Sequence, residues 1–170
     1  MRFFLCLLFG LNLAGCDYQA PLSDAASRGN NTISGTVVVN GTRSLGPVMM
    51  LAYSVDAPPP PTGTGRPVAI STVPASRFND TVDGLLSAEY AISDLPDGEY
   101  LITALMDVDQ DFHPLLASGA LAGATCGDWL GAYVDDVLEP QIVPVVVEGG
   151  VTVDRISVPI ANPVLLERSA

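Results

Sequence analysis

The chain has 170 residues, with 19 acidic side chains against seven basic ones, all arginine, for a formal charge of −12. That length suits one domain with a sizeable core. So acidic a chain repels nucleic acid and anionic headgroups, which excludes nucleic-acid binding, and it favours cations.

The first sixteen residues, MRFFLCLLFGLNLAGC, stand apart from that domain. Arg2 precedes an apolar run from Phe3 to Leu13, too short to cross a hydrocarbon core ~30 Å thick as a helix. A short basic start, a short apolar stretch and small residues at its end make residues 1–15 a secretory signal peptide. Leu13-Ala14-Gly15-Cys16 resembles the bacterial lipobox. The resemblance implies diacylglyceryl transfer to the Cys16 thiol and cleavage before it. The lipid would then hold the chain on a membrane without a spanning segment. Asp17 resembles an inner-membrane retention signal of some proteobacterial lipoproteins, a rule too narrow to choose between membranes. Cys6 leaves with the signal and Cys16 carries lipid, so Cys126 has no intramolecular disulfide partner and reads as a small buried hydrophobe.

Residues 17–31 after the lipidated Cys16 are polar and small, a flexible tether. The domain spans 32–162, with a C-terminal tail at 163–170. Apolar, β-branched runs at 32–39, 47–55, 67–73, 87–93, 99–106, 142–147 and 151–160 predict strands, separated by Gly, Pro and Asn turn chemistry. One short helix fits within 115–126, weakened by its glycines. Pro58–Pro61 cannot donate ladder hydrogen bonds and reads as a stiff hairpin loop. In VTVDRISVPI the apolar parity changes at Asp154-Arg155, as a β-bulge would produce, and Pro159 predicts an edge or terminal strand. The pattern predicts an all-β fold, an antiparallel sandwich or barrel.

EYAISDLPDGEYLITAL, residues 89–105, resembles the carboxypeptidase-regulatory-like and transthyretin-like (prealbumin-like) sandwich domains. Tyr90-x-Ile92 enters, Leu95-Pro96-x-Gly98 turns, and Tyr100-x-Ile102-x-Ala104 returns. ISGTVVV at 33–39 and EGGVTVDRISVPI at the end resemble the first and last strands of such domains. The resemblance covers most of 32–160. It implies an antiparallel Greek-key sandwich of about seven strands and an accessory or binding role without catalysis.

Residues 107–141 replace the usual short connection with a long acidic loop insertion, and long loops on rigid sandwiches commonly carry function. It opens DVDQDFHP. On a flat strand, Asp107, Asp109 and Asp111 would lie ~6.6–6.8 Å apart on one face and could not converge on a small ion. The strand therefore ends near Asp107 and the chain curls, as alternating carboxylates do in calcium loops. A full EF-hand fails: its sixth position is Phe112 instead of Gly, and its twelfth is Ser118 instead of Glu. Asp128, flanked by Gly127, is the best distant ligand; Asp135, Asp136 and the His113 carbonyl are weaker ones. A calcium site and a plain acidic turn both fit this pattern. Transition metals are disfavoured, because His113 and Cys126 are the only soft ligands and no CxxC or HxxxH spacing exists. Phe112, Trp129 and Tyr133 are candidate ligand contacts, or else a satellite core that packs the insertion down. No nucleophile–base signature such as GxSxG accompanies His113. The sequence thus points to a cell-envelope lipoprotein, anchored through Cys16 and facing the periplasm or cell surface. Its expected role is a non-enzymatic binding or structural module with a calcium-stabilised loop. The alternative is a small envelope hydrolase using residues 107–133.

Overall fold

The computed structural model describes residues 30–40, 44–81, 84–112, 127–136 and 140–163. Cys16, the tether through residue 29, the 115–126 helix, His113, Cys126 and the tail beyond 163 lie outside them.

Each of the seven apolar runs forms a strand: β1 (Asn31–Asn40), β2 (Val48–Ser54), β3 (Ala69–Val73), β5 (Leu85–Leu95), β6 (Gly98–Met106), β8 (Pro144–Val147) and β9 (Thr152–Pro163). Alternation explains them. On β1, Ile33, Val37 and Val39 are buried, and on β6, Tyr100, Ile102, Ala104 and Met106 point the same way into one core. Two further short strands, β4 (Asn79–Asp80) and β7 (Trp129–Ala132), complete the set.

The sheet runs β3-β2-β6-β7-β9-β1-β5-β4, with β8 pairing β6 off this path. It is mixed, because β1 and β9 run parallel while every other pair is antiparallel. It curls until β3 lies alongside β5 without a ladder between them, nearly closing a barrel. The expected all-β fold holds among the described residues, and its expected all-antiparallel pairing is corrected by the parallel β1–β9 ladder. A period of two places side chains on faces but is the same in parallel and antiparallel ladders, so alternation could not reveal the β1–β9 direction. The 107–141 segment is likewise not all loop, since β7 lies within it and bridges β6 to β9.

β1 is flanked by two bulges. Ile33 pairs Val153 and Gly35 pairs Ile156, so Ser34 alone faces Asp154 and Arg155, the bulge expected from parity. Asn31 pairs Leu95 and Ile33 pairs Ile92, so Thr32 faces Ser93 and Asp94. Arg155 and Asp94 have φ of 64° and 62°, the left-handed conformation that absorbs the extra residue. Above its bulge β9 pairs β7 from Ile160 onward, whereas from Thr152 to Pro159 it has β1 alone; Pro159 sits where the second ladder stops.

The registers define two poles. β1 and β9 begin, and β5 and β8 end, at the basal pole; β6 ends, and β2 and β7 begin, at the apical pole. Asn31, fully buried, ties the basal turns together. Its Nδ2 donates to the Leu95 carbonyl at 3.0 Å and to Asp97 Oδ1 at 2.8 Å, and its Oδ1 accepts from the Gly150 and Val151 amides at 2.7 and 2.9 Å. Asp97 Oδ1 also accepts from the Gly149 amide at 2.9 Å. These bonds, the Asn31 one first, hold the exposed Asp97 carboxyl below its usual value against a smaller desolvation effect. A depressed folded value means that the contribution of Asp97 is complete above the unfolded value near ~4 and is lost as pH falls through the lower folded one. In acid denaturation followed by circular dichroism, wild type and Asp97→Asn are expected to differ by a constant stability above pH ~5, with the gap closing below pH ~4. A gap independent of pH would show that the charge of Asp97 plays no part.

Candidate metal centre

β6 carries the chain to the apical pole and stops at Met106. The Asp107 amide still donates to the Pro47 carbonyl at 3.0 Å, so the site starts from a fixed strand end. Gly46 passes so close that a Cβ there would strike the Asp107 carbonyl. Beyond Asp107 the chain curls. Gln110 takes φ of 62°, and the Asp107 carboxylate closes the curl by accepting from the Asp111 amide at 3.2 Å (Oδ1) and the Phe112 amide at 3.3 Å (Oδ2).

Asp128 arrives from the residue before β7. It is fully buried, and its Oδ1 accepts from the Val108 amide at 3.0 Å. Asp107 is 4% exposed, while Asp109 and Asp111 face solvent. One carboxylate oxygen from each of Asp107, Asp109, Asp111 and Asp128 lies within 4.8 Å of all the others. The four aspartates singled out in the sequence therefore converge. Asp135 does not join them; its Oδ1 accepts from the Asp136 and Gln141 amides at 2.8 and 3.3 Å.

The geometry can be tested against ion size. Ligands on opposite sides of a calcium ion at ~2.3–2.6 Å are ~4.6–5.2 Å apart, and neighbouring ligands are closer. Four oxygens within 4.8 Å of one another fit on such a sphere. Magnesium, at ~2.0–2.1 Å, demands a near-ideal octahedron and gives up its waters reluctantly, so four protein carboxylates suit it less well than calcium. The donor set is all oxygen and fourfold anionic, the chemistry of a hard cation and not of zinc or copper. Water and backbone carbonyls would supply the remaining ligands.

Phe112, 8% exposed, leaves the cluster in the other direction. It packs with Met49, Leu51, Tyr53 and Leu105 on the outer face of β2 and β6, against Leu101 and Leu130. This second cluster explains why β2 is buried along both faces. Its signal was the uninterrupted apolar run VMMLAY, which suits a strand covered on both sides. Trp129 and Tyr133 are half-buried and pack against the main core. Gly46 and the support from Pro47 carried no sequence signal, because both act through the backbone of a segment distant in sequence, just before β2.

Two shallow grooves that share Arg77 and Glu89 gather none of the candidate residues. Among the described residues no helix is long and apolar enough to cross a membrane. No family model, curated protein or solved structure matches the chain.

Proposed function

We propose that this protein is a lipid-anchored module of the bacterial cell envelope, non-enzymatic, whose apical loop is stabilised by calcium. The observation that carries the metal reading is the convergence of Asp107, Asp109, Asp111 and Asp128, two buried and two solvent-facing, at the end of a rigid strand. A calcium ion would neutralise part of a fourfold negative charge there and clamp the end of β6 to the start of β7. Calorimetric titration with Ca²⁺ is expected to give one site per chain and weaker binding of Mg²⁺. No heat of binding at millimolar Ca²⁺ would remove the metal from the proposal.

The anchor rests on Leu13-Ala14-Gly15-Cys16. Expressed in a bacterial host, the full-length chain is expected to partition into detergent and Cys16→Ser into the aqueous phase. Equal partitioning of the two would overturn the anchor. A transthyretin-like ancestry is supported by the tight turn about Pro96 that carries the chain from β5 to β6, in which the Tyr100 hydroxyl donates back to the Pro96 carbonyl at 3.0 Å. Such an ancestry favours a binding or structural role over catalysis.

A further inference from the structure

The sheet divides into two laddered halves. β3, β2, β6 and β8 make one, and β9, β1, β5 and β4 make the other. β7 belongs with the first, in an unbroken register against β6 from Trp129–Met106 to Ala132–Thr103. β3 has no ladder to β5 and β8 has none to β9. Among the described residues, the β7–β9 ladder is therefore what joins the halves into one sheet.

That ladder is short and interrupted. Trp129 pairs Pro163, Leu130 pairs Asn162 and Gly131 pairs Ile160, so the register shifts and Ala161 is left unmatched. Pro163 has no N–H to donate, and neither has Pro159 just below the ladder. Gly131 lies so near the Pro159 main chain that a Cβ there would meet its carbonyl closer than real Cβ atoms come. The basal pole is tied far better. There the β5–β6 and β8–β9 turns both cross between the halves. Buried Asn31 bonds the Leu95 carbonyl and Asp97 of one turn and the Gly150 and Val151 amides of the other.

We propose that the β7–β9 ladder is a latch, which parts at the apical end while the basal turns act as hinge and the rest of the domain stays folded. β7 stays on β6, because that ladder is unbroken and because Asp128, the residue before β7, accepts from the Val108 amide beyond the end of β6 at 3.0 Å. Parting bares the outer edge of β7 and the main chain of Ile160–Pro163, and opens a way to the core beside Trp129, which packs against it. The latch follows from the connectivity of the sheet and stands whether or not the aspartates hold a cation.

Hydrogen exchange of the full chain, read residue by residue by NMR at rising sub-denaturing urea, tests this. Amides bonded across β7–β9 are expected to exchange on the order of a hundredfold faster than those of the β1–β5 and β2–β6 ladders. Their rates are expected to depend little on urea, because a local opening exposes little surface. The amides of the β6–β7 ladder and of Gly150 and Val151 are expected to stay with the slow group. Exchange across β7–β9 at the rate and urea slope of the β1–β5 ladder would overturn the latch. So would exchange of the Gly150 and Val151 amides together with it, since the hinge would then be moving too. Gly131→Ala crowds the latch from within. It is expected to lose protection across β7–β9 with the β1–β5 amides still protected, and to shift the fluorescence of Trp129, the only tryptophan, to the red. A folded variant that keeps its β7–β9 protection counts against the latch as well. Wild-type exchange decides the matter alone should the variant not fold.

Discussion

Asp128→Asn is expected to remove most of the calcium-dependent rise in Tm while leaving calcium-free stability equal to that of wild type or higher. The substitution is chosen for what it keeps. Asp128 Oδ1 accepts the Val108 amide at 3.0 Å, and an asparagine carbonyl can accept the same bond. Alanine would strand that amide at a cost of ~1–3 kcal/mol and confuse folding with binding. What asparagine loses is one negative charge from a fully buried position among four carboxylates. Without a cation this relieves like-charge repulsion; with one it removes a strong ligand. A ligand at a hundredfold excess over Kd stabilises the native state by about 2.7 kcal/mol. For a domain of this size that is a rise in Tm of roughly 5–10 °C. Thermal denaturation with and without millimolar Ca²⁺ reads both effects. A variant that gains as much from calcium as wild type would show that the cluster is not where the ion binds.

The second large effect concerns Gly35. A Cβ there would meet the nitrogen, carbon and oxygen of the Ile156 backbone, all closer than real Cβ atoms come. Gly35 pairs Ile156 as the β1–β9 ladder resumes above the bulge, so the obstruction is main chain held by hydrogen bonds and cannot swing aside. Gly35→Ala is expected to destabilise the domain at or beyond the upper end of the ~1–3 kcal/mol typical of overpacking. The neighbouring Ser34→Ala, with its side chain off the core, is the control and is expected to fall within about 0.5 kcal/mol of wild type. Urea denaturation at constant m-value separates the two, and a Gly35→Ala midpoint equal to wild type would mean that β9 yields at the bulge.

What could be read from the residues alone depended on how local each cause was. Strands β1, β2, β3, β5, β6, β8 and β9 announced themselves through short apolar runs rich in Val, Ile and Tyr between turn residues. The Asp154-Arg155 bulge was legible because one extra residue shifts the parity of Val153 against Ile156. The matching bulge at Ser93-Asp94 left the same trace between Ile92 and Leu95, although it falls just where the strand turns. The curl at Asp107 followed from charge, since three carboxylates cannot point along one strand face together. Asp128 was within loop reach and flanked by glycine. Strand β7 was not legible, because WLGA is short, contains a glycine and owes its extended form to β6 and β9 on either side. Nor was the direction of β9 against β1, which depends on how the chain returns and not on which residues alternate. The close approach of Gly46 to Asp107 belongs to the same class, a contact between backbones that no side-chain pattern encodes.

The parallel pairing of β1 and β9 has a mechanical consequence. β1 is joined to the chain at its basal end, and β9 leaves the sheet at the apical end. A pull on the N-terminal side toward a membrane, opposed by a load on the far end of β9, would slide the two strands along each other. In that geometry the hydrogen bonds of the ladder are strained together, whereas an antiparallel pair loaded at adjacent ends opens one bond at a time. The arrangement would resist tension along the axis between anchor and load better than a hairpin of the same length.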